Sequence, residues 1–327
     1  LICIRKNILA EKGQMVKEKS YMPSVPFINV GRLDILMNKR RKMNWNYLLI
    51  APALIISVCV ILVPGIMTVV YSFTDWNGLS PDINFIGIQN YQELFHDNVF
   101  FIAIKNNFIW AIMFLTIPVV IGMLSAMLLL SRKKTRSIYQ VAFLIPYVLA
   151  PSVNAMLWLN IMFSPVVGVV AFLRNTFGLD ISSPLASMKS AIYACAGVDI
   201  WHYWSYLTVI YLAALRQVPT DQVEAAKVEG CNGWQLFRYV YLPNIMPTVK
   251  LMFMMITIGS FLSFDYVKLL TGGGPAHSTE VLGTYAYSFA FSSMKVGKAA
   301  SVGMFISIFG LIASMIYARM TKKESIE

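Results

Sequence analysis

The chain of 327 residues is strongly apolar and basic, and both properties limit what it can be. Hydrophobic residues make up 57% of it and charged residues 13%, against about 25% charged in an average soluble domain. This composition cannot provide a normal charged surface, so it favours an integral membrane protein. The formal charge of +11 does not favour nucleic-acid binding, because the cations flank apolar runs and form no separate basic domain.

A basic segment, residues 1–42, precedes the first apolar run. It lacks an apolar core of the length that a cleavable signal needs, so the first apolar run is the expected insertion signal. We expect the segment in the cytoplasm, either as an amphipathic helix on the membrane surface or as a partly ordered tail.

Apolar runs then recur along the chain, most of them reaching the roughly 20 residues that a helix needs to cross the hydrocarbon layer. Lipid offers backbone groups no hydrogen-bond partners, so these runs must be helices. The sequence therefore predicts an all-α integral membrane protein with about six transmembrane helices in a permease domain of residues 43–320. The runs cover residues 48–71, 106–131, 138–163, 191–215, 251–264, extended by the residues that follow, and 299–318.

Lysine and arginine lie in alternate connections between these runs, which indicates the orientation of the chain. Short loops rich in cations stay in the cytoplasm. We therefore place both termini, the tail 321–327 and the loop 216–250 in the cytoplasm of a bacterium, with the chain crossing the cytoplasmic (inner) membrane several times. The cations that carry this prediction are Lys39, Arg40, Arg41, Lys42, Arg132, Lys133, Lys134, Arg136, Arg216, Lys227, Arg238, Lys250, Arg319, Lys322 and Lys323.

The loop 216–250 has features of two short helices. Thr220 or Asp221 can cap the first, and alanine at 225 and 226 favours helix and allows close approach of a partner. Gly230 can adopt positive φ and reverse the chain. Pro243 and Pro247 are expected to end the second helix and start the next span.

The same loop resembles the "EAA" loop of ATP-binding-cassette (ABC) importer permeases. The matching order is Glu224, Ala225, Ala226, Gly230, Val240 where the family usually has Ile, Leu242 and Pro243. The resemblance implies a coupling helix that enters a cleft of a separate ATPase, with Glu224 paired to a basic residue there and Gly230 forming a tight turn. The alternative is an ordinary amphipathic connector that contains Glu-Ala-Ala by chance.

Further stretches resemble the sugar-importer branch of these permeases, namely 64–73 (PGIMTVVYSF), 143–158 (FLIPYVLAPSVNAMLW) and 269–280 (LLTGGGPAHSTE). The resemblance implies the type I ABC importer permease fold and transport by alternating access. It also implies partners: a second homologous permease subunit, two ATP-binding subunits and an extracytoplasmic solute-binding protein. We expect a heterodimer of permease subunits, with a homodimer as the nearest rival.

The chain is not expected to be an enzyme. It has no GxxxxGK[ST] phosphate-binding loop, and its histidines His96, His202 and His277 have no metal-site spacing. We therefore expect no cofactor on this chain, and the resemblance implies that ATP and Mg²⁺ are bound by the partner ATPase subunits.

A candidate substrate site lies within the fourth run. Helical spacing puts Asp199, His202, Tyr203 and Tyr206 on one face. Ionisable groups inside a span are costly and tend to face a cavity, and hydrogen-bonding groups beside aromatic rings suit sugars. The alternative is an interfacial aromatic belt with Asp199 near the outer headgroups.

Resemblance to the sugar-binding subunit of maltose-type permeases extends this site. It implies sugar contacts for Tyr147 and, through an alignment anchored at Gly273, Gly274 and Pro275, for Ser260 and Ser263. For these two serines and Asn154, hydrogen-bonded packing between helices is an equally good interpretation.

The predicted substrate is a carbohydrate, favouring an oligosaccharide. An acidic one, such as an oligouronate from alginate, stays open, as do glycerol phosphate and mono- or disaccharides. Asp199 disfavours an anion, whereas His202 and Arg174 favour one. The alternative function is an ion-coupled secondary transporter of a small polar solute in which Asp199 or Asp265 carries protons or sodium, although no internal inverted repeat is detectable.

Overall fold

The computed structural model describes residues 45–132, 134–178 and 182–324. The predicted N-terminal segment 1–42 and the last residues of the predicted tail, 325–327, lie outside these ranges. Contacts divide the chain into two units, Leu1–Cys59 and Val60–Glu327, and every tertiary contact reported below lies within the second unit.

Throughout the described ranges the chain is helical without β-strands, and an isolated bridge pairs Thr74 with Phe85. The all-α prediction is confirmed. Turns of π-helix at Val58–Leu62, Trp158–Met162, Phe237–Tyr241 and Ser288–Ser292 continue α1, α6, α10 and α13. The α-helices are α1 Trp45–Ser57, α2 Val63–Tyr71, α3 Gln89–Phe95, α4 Asn98–Ser131, α5 Arg136–Val148, α6 Pro151–Leu157, α7 Val169–Phe177, α8 Ala191–Leu215, α9 Thr220–Val228, α10 Gly233–Leu236, α11 Leu242–Phe261, α12 Asp265–Leu270, α13 Leu282–Tyr287 and α14 Val296–Glu324.

Four helical segments of the described chain are long and apolar enough to span a membrane, and one bent pair of helices would make a fifth span. The predicted fourth span coincides with α8, but its polar and aromatic residues keep α8 out of this set. Since α8 is buried along much of its length by other helices, it does not need an apolar surface. Length and composition therefore do not confirm a count of six. The four segments are Leu49–Tyr71, Asn98–Ser131, Gly233–Phe261 and Val296–Met320.

The predicted third span, residues 138–163, is not one straight helix. It forms the bent pair, in which Arg136–Val148 and Pro151–Met162 differ in direction by 92°. Leu149 and Ala150 have extended ψ values of 134° and 143°. A proline disfavours helical backbone in the residue before it, so Pro151 explains the break.

The predicted fifth span, residues 251–264, is displaced toward the N-terminus. One apolar helical segment runs from Gly233 to Phe261, and Asp265 then starts the separate helix α12. The prediction that Pro243 and Pro247 end a short helix is therefore wrong. Pro243 lies in the first turn of α11, just after the π-helical turn, where a missing N–H is tolerated.

The main core lies where α4 and α8 pack along each other. Trp110, Leu207 and Tyr211 are among its buried side chains. A Cβ atom built on Gly122 would lie 2.8 Å from Cβ of Leu207 and 3.3 Å from the backbone N of Thr208. Glycine at 122 thus permits the close approach of the two helices, as small residues do in membrane helix packing.

Two buried amides of α4 hold the segments on either side of the Gly-Gly-Gly-Pro loop. Asn106 Nδ2 donates to the carbonyl oxygens of Ser278 (2.9 Å) and Glu280 (2.8 Å). Asn107 Nδ2 donates to the Ser260 carbonyl (2.7 Å), and Asn107 Oδ1 accepts from the Leu282 N–H (2.8 Å). The end of α11 and the start of α13 are therefore tied to α4.

The connection between α2 and α3 is ordered by a polar pair outside the spans. Asp75 accepts hydrogen bonds from the Asn84 side chain (3.0 Å) and from its backbone N–H (2.9 Å). These bonds hold the pKa of Asp75 below its ordinary value. Nearby, Lys298 of α14 pairs with Glu93 of α3 at 3.2 Å.

Candidate functional site

A cavity of about 300 Å³ lies among α4, α5, α6, α8, the end of α11 and the start of α12. Of the predicted substrate contacts, Tyr206 is the one that does not line this cavity. The residues that line it are Trp110, Phe114, Tyr147, Pro151, Asp199, His202, Tyr203, Met255, Ile256, Gly259, Ser260, Leu262, Ser263, Phe264, Asp265 and Tyr266.

Aromatic rings form one wall of the cavity. The ring centroid of Tyr147 lies 5.1 Å from that of His202 and 5.1 Å from that of Tyr206, with 24° between the two tyrosine planes. His202 lies 5.9 Å from Tyr266, and Tyr203 lies 5.6 Å from Tyr206. Tyr206 therefore packs against two residues of the wall, Tyr147 and Tyr203, without lining the cavity itself. The wall offers ring faces and hydroxyl groups together, which is the combination that sugars need.

The break between α5 and α6 positions this wall. Tyr147 is the next-to-last residue of α5, and its ring contacts that of His202 on α8. The sequence predicts that His202 contacts the substrate. The structure gives it the additional task of holding Tyr147 against α8.

Two carboxyl groups lie at the cavity, Asp199 on α8 and Asp265 at the start of α12. The indole of Trp110 lines the same cavity. Trp110 and Tyr266 were missed as cavity residues, and Asp265 was considered only as an ion carrier. The sequence indicates these three residues only weakly. An aromatic residue in an apolar run is as typical of helix packing as of a binding site, and an acidic residue just after such a run is as typical of a helix end.

The hydroxyls of Ser260 and Ser263 are engaged within the protein. Ser260 Oγ donates to the Ile256 carbonyl (2.8 Å), and Ser263 Oγ donates to the Ser260 carbonyl (3.0 Å). Asn154 Nδ2 donates to the hydroxyl of Tyr266 (2.8 Å). These bonds agree with the packing interpretation of the three residues, while the two serines still line the cavity.

The predicted coupling residues form a compact exposed segment. Glu224 and Ala225 are exposed on α9, whereas Ala226 is buried. Pro219 precedes the helix, so Thr220 and Asp221 lie in its first turn and do not cap it as expected. Gly230 has φ of +81°, and the Gly230 and Cys231 N–H groups bond the carbonyls of Lys227 and Ala226 at 3.0 Å. This is a Schellman motif, and it confirms the predicted turn at Gly230.

Polar bonds fix this segment to the long helix that follows. Asn232 and Gln235 form a reciprocal capping box, with both bonds at 2.9 Å. Asn244 Nδ2 donates to Gln222 Oε1 at 2.9 Å and so joins α11 to α9. The helix α9 is thus joined by a hydrogen bond to the apolar segment Gly233–Phe261.

Comparison with known proteins decides the family. The model of the "binding-protein-dependent transport system inner membrane component" family matches residues 101–325. The chain belongs to this family. A probable starch degradation products transport system permease, AmyD of Thermoanaerobacterium thermosulfurigenes, is 32% identical over 86% of this chain and 96% of its own length.

Other matches agree with this assignment. The multiple sugar-binding transport system permease MsmF of Streptococcus mutans is 29% identical over 88% of this chain and 99% of its own length. A chain in the crystal structure of a bacterial alginate ABC transporter has the same fold, with a TM-score of 0.77 and 22% identity over 86% of this chain and 96% of that chain.

This chain is thus a multi-pass permease subunit of an ABC importer in the inner membrane. It works with a solute-binding protein and with ATPase subunits, and it is not itself an enzyme. The type I importer fold expected from the EAA loop is confirmed. The alternative of an ion-coupled secondary transporter is not favoured.

Proposed function

We propose that this permease moves a carbohydrate, of oligosaccharide size, into the cell by alternating access. The observation that carries the proposal is the cavity lined by the rings of Tyr147 and His202 and by Asp199, with Tyr206 packed against Tyr147. Ring faces and adjacent polar groups suit the C–H faces and hydroxyls of sugars. The relatives named for starch degradation products and for multiple sugars support the same substrate class.

The proposed cycle needs two states whose balance both nucleotide and substrate change. A second homologous permease subunit completes the central cavity as a heterodimer, and two ATPase subunits bind the coupling segments. Closure of the ATPases on ATP draws the α9 helices together and opens the cavity to the solute-binding protein. Hydrolysis then returns the cavity to the inside. Both termini and the loop 216–250 lie in the cytoplasm in this arrangement.

The proposal that the substrate is a carbohydrate is tested by uptake into proteoliposomes that contain the complete complex, with the solute-binding protein outside. We expect ATP-dependent uptake of at least one neutral or charged oligosaccharide from a labelled panel. Uptake of amino acids or inorganic ions in place of every saccharide would refute a carbohydrate function.

The proposal that α9 couples the ATPase to transport is tested with Glu224→Arg, which reverses the charge of an exposed side chain on α9. We expect at least about tenfold less ATP-driven uptake and weaker copurification of the ATPase, because a charge-assisted contact contributes about 1.5–3 kcal/mol. Gly230→Val should act similarly, since a β-branched residue is strained at φ of +81°. Asp82→Arg, the same charge change at an exposed site in the connection between α2 and α3, is the matched control. Equal uptake by all three variants at equal expression would contradict the coupling role.

A further inference from the structure

The side chains around the cavity have an unbalanced charge. Asp199 and Asp265 both line it, and no lysine or arginine of the described chain does. Asp265 is exposed, and it lines the same cavity as Asp199. The site therefore presents two acidic groups to whatever enters and no permanent cation.

The cations that could offset these acids lie elsewhere. Lys268 is on the same short helix as Asp265, but its Nζ lies 4.4 Å from the ring centroid of Tyr287 and it does not line the cavity. Arg174, which left the charge preference open in the sequence, donates through Nη2 to the Pro165 carbonyl (2.9 Å). Arg174 is also absent from the cavity wall.

His202 does not supply a positive group to the substrate either. A histidine side chain is mostly uncharged at pH 7, and the His202 ring lies against the rings of Tyr147 and Tyr266. The remaining polar groups of the wall are hydroxyls of Tyr147, Tyr203 and Tyr266, the indole N–H of Trp110 and the two serines. These groups can bond sugar hydroxyls without any charge on the sugar.

From this charge pattern we infer that the permease selects saccharides that carry no carboxylate, sulfate or phosphate group. The inference rests on the carbohydrate function proposed above and narrows its substrate class. A sugar anion in this cavity would lie beside two acidic side chains with no lysine or arginine to pair with it, so its charge would be repelled or left uncompensated. Hydroxyl groups of a neutral saccharide can instead donate to the same carboxyl oxygens. An amino sugar fits as well, because its ammonium group is attracted to them.

Direct binding to the purified permease complex, with the solute-binding protein left out, tests the inference at this site. The probes are labelled neutral tri- to pentasaccharides of glucose, xylose, mannose, galactose and N-acetylglucosamine, with uronate oligosaccharides of the same lengths as the acidic set. We expect the best neutral probe to bind at least about tenfold more tightly than the best uronate. Omitting the solute-binding protein removes its own selectivity from the result.

Two variants connect the selectivity to these residues. In Asp199→Asn and in Asp265→Asn, the ratio of uronate to neutral affinity should rise about tenfold, which corresponds to about 1.4 kcal/mol. Asp82→Asn, outside the cavity, should leave the ratio unchanged. Since Asp265 is exposed at a helix start, Asp265→Asn tests the inference even if Asp199→Asn does not fold.

The outcomes separate the inference from the function on which it rests. Binding of uronates as tight as that of neutral saccharides, or an unchanged ratio in a folded Asp265→Asn variant, overturns the charge selectivity and leaves carbohydrate import standing. Failure of every saccharide, neutral and acidic, to bind contradicts the carbohydrate site itself.

Discussion

Tyr147 is the residue on which the proposed sugar wall depends most. It stands next to the break between α5 and α6, and its ring contacts both His202 and Tyr206. A sequence comparison could find Tyr147, because the resemblance to maltose-type permeases covers it. The sequence could not show that the Tyr147 ring lies against His202, because that contact depends on the 92° change of direction after α5.

Removing the ring of Tyr147 should weaken transport. We expect Tyr147→Ala to raise the KM for saccharide uptake by about three- to tenfold, since an aromatic contact is worth about 0.5–1.5 kcal/mol beyond burial. Tyr147→Phe, which keeps the ring, should stay within about threefold of the native KM. Uptake kinetics in proteoliposomes measure both variants. Tyr193→Ala, at an exposed tyrosine near the start of α8, is the control. A normal KM in Tyr147→Ala would remove Tyr147 from the site.

At the scale of elements, the predicted helices were recovered where apolar runs have clear ends. α8 begins and ends where the sequence predicts, at 191 and 215. The third run was predicted as one straight helix because hydropathy does not distinguish a straight helix from a bent pair. Pro151 lies at the bend and is the residue that could have indicated it. The fifth run was displaced because charged and polar residues of 233–250 hide a continuous helix, and its two prolines were taken as stops.

Packing of α4 on α8 can be tested with one methyl group. Gly122→Ala places a Cβ 2.8 Å from Leu207, so we expect a loss of about 1–3 kcal/mol from overpacking. Gly197→Ala on α8 meets no atom within 4 Å and should be neutral or slightly stabilising. Thermal unfolding of the two purified variants in the same detergent makes the comparison. Equal melting temperatures would show that α4 and α8 do not approach as described.

The tie between α4 and the Gly-Gly-Gly-Pro loop can be tested through Asn107. Asn107→Leu leaves the N–H of Leu282 without its partner and removes one of two donors to the Ser260 carbonyl, which keeps the Ser263 hydroxyl. Each unsatisfied buried group costs about 1–3 kcal/mol, so a clear drop in melting temperature is expected. Asn160→Leu removes a local bond to the Met156 carbonyl at an exposed position, and it should have little effect. If both variants melt alike, the amide of Asn107 does not hold these segments.

On the scale of the whole molecule, composition and one loop predicted the class of protein, and the comparisons confirm it. The segment with Glu224, Ala225 and Gly230 was recognisable because its helix, its positive-φ turn and its capping box use local residues in sequence order. The cavity was harder to predict because its wall draws on six helices spread over the sequence from residue 110 to residue 266. The position of Asp265 at the cavity wall, where it is the second acidic group, therefore emerged only from the structure.

The most direct test of the account is the side of the membrane on which α9 lies. Val228, which is 89% exposed next to the turn at Gly230, can carry a reporter cysteine in a variant whose native cysteines are replaced. A membrane-impermeant maleimide should label Val228→Cys in inverted membrane vesicles and not in intact cells, and bound ATPase should slow the labelling. Rapid labelling from outside intact cells would contradict the proposal that this helix couples ATP hydrolysis to transport.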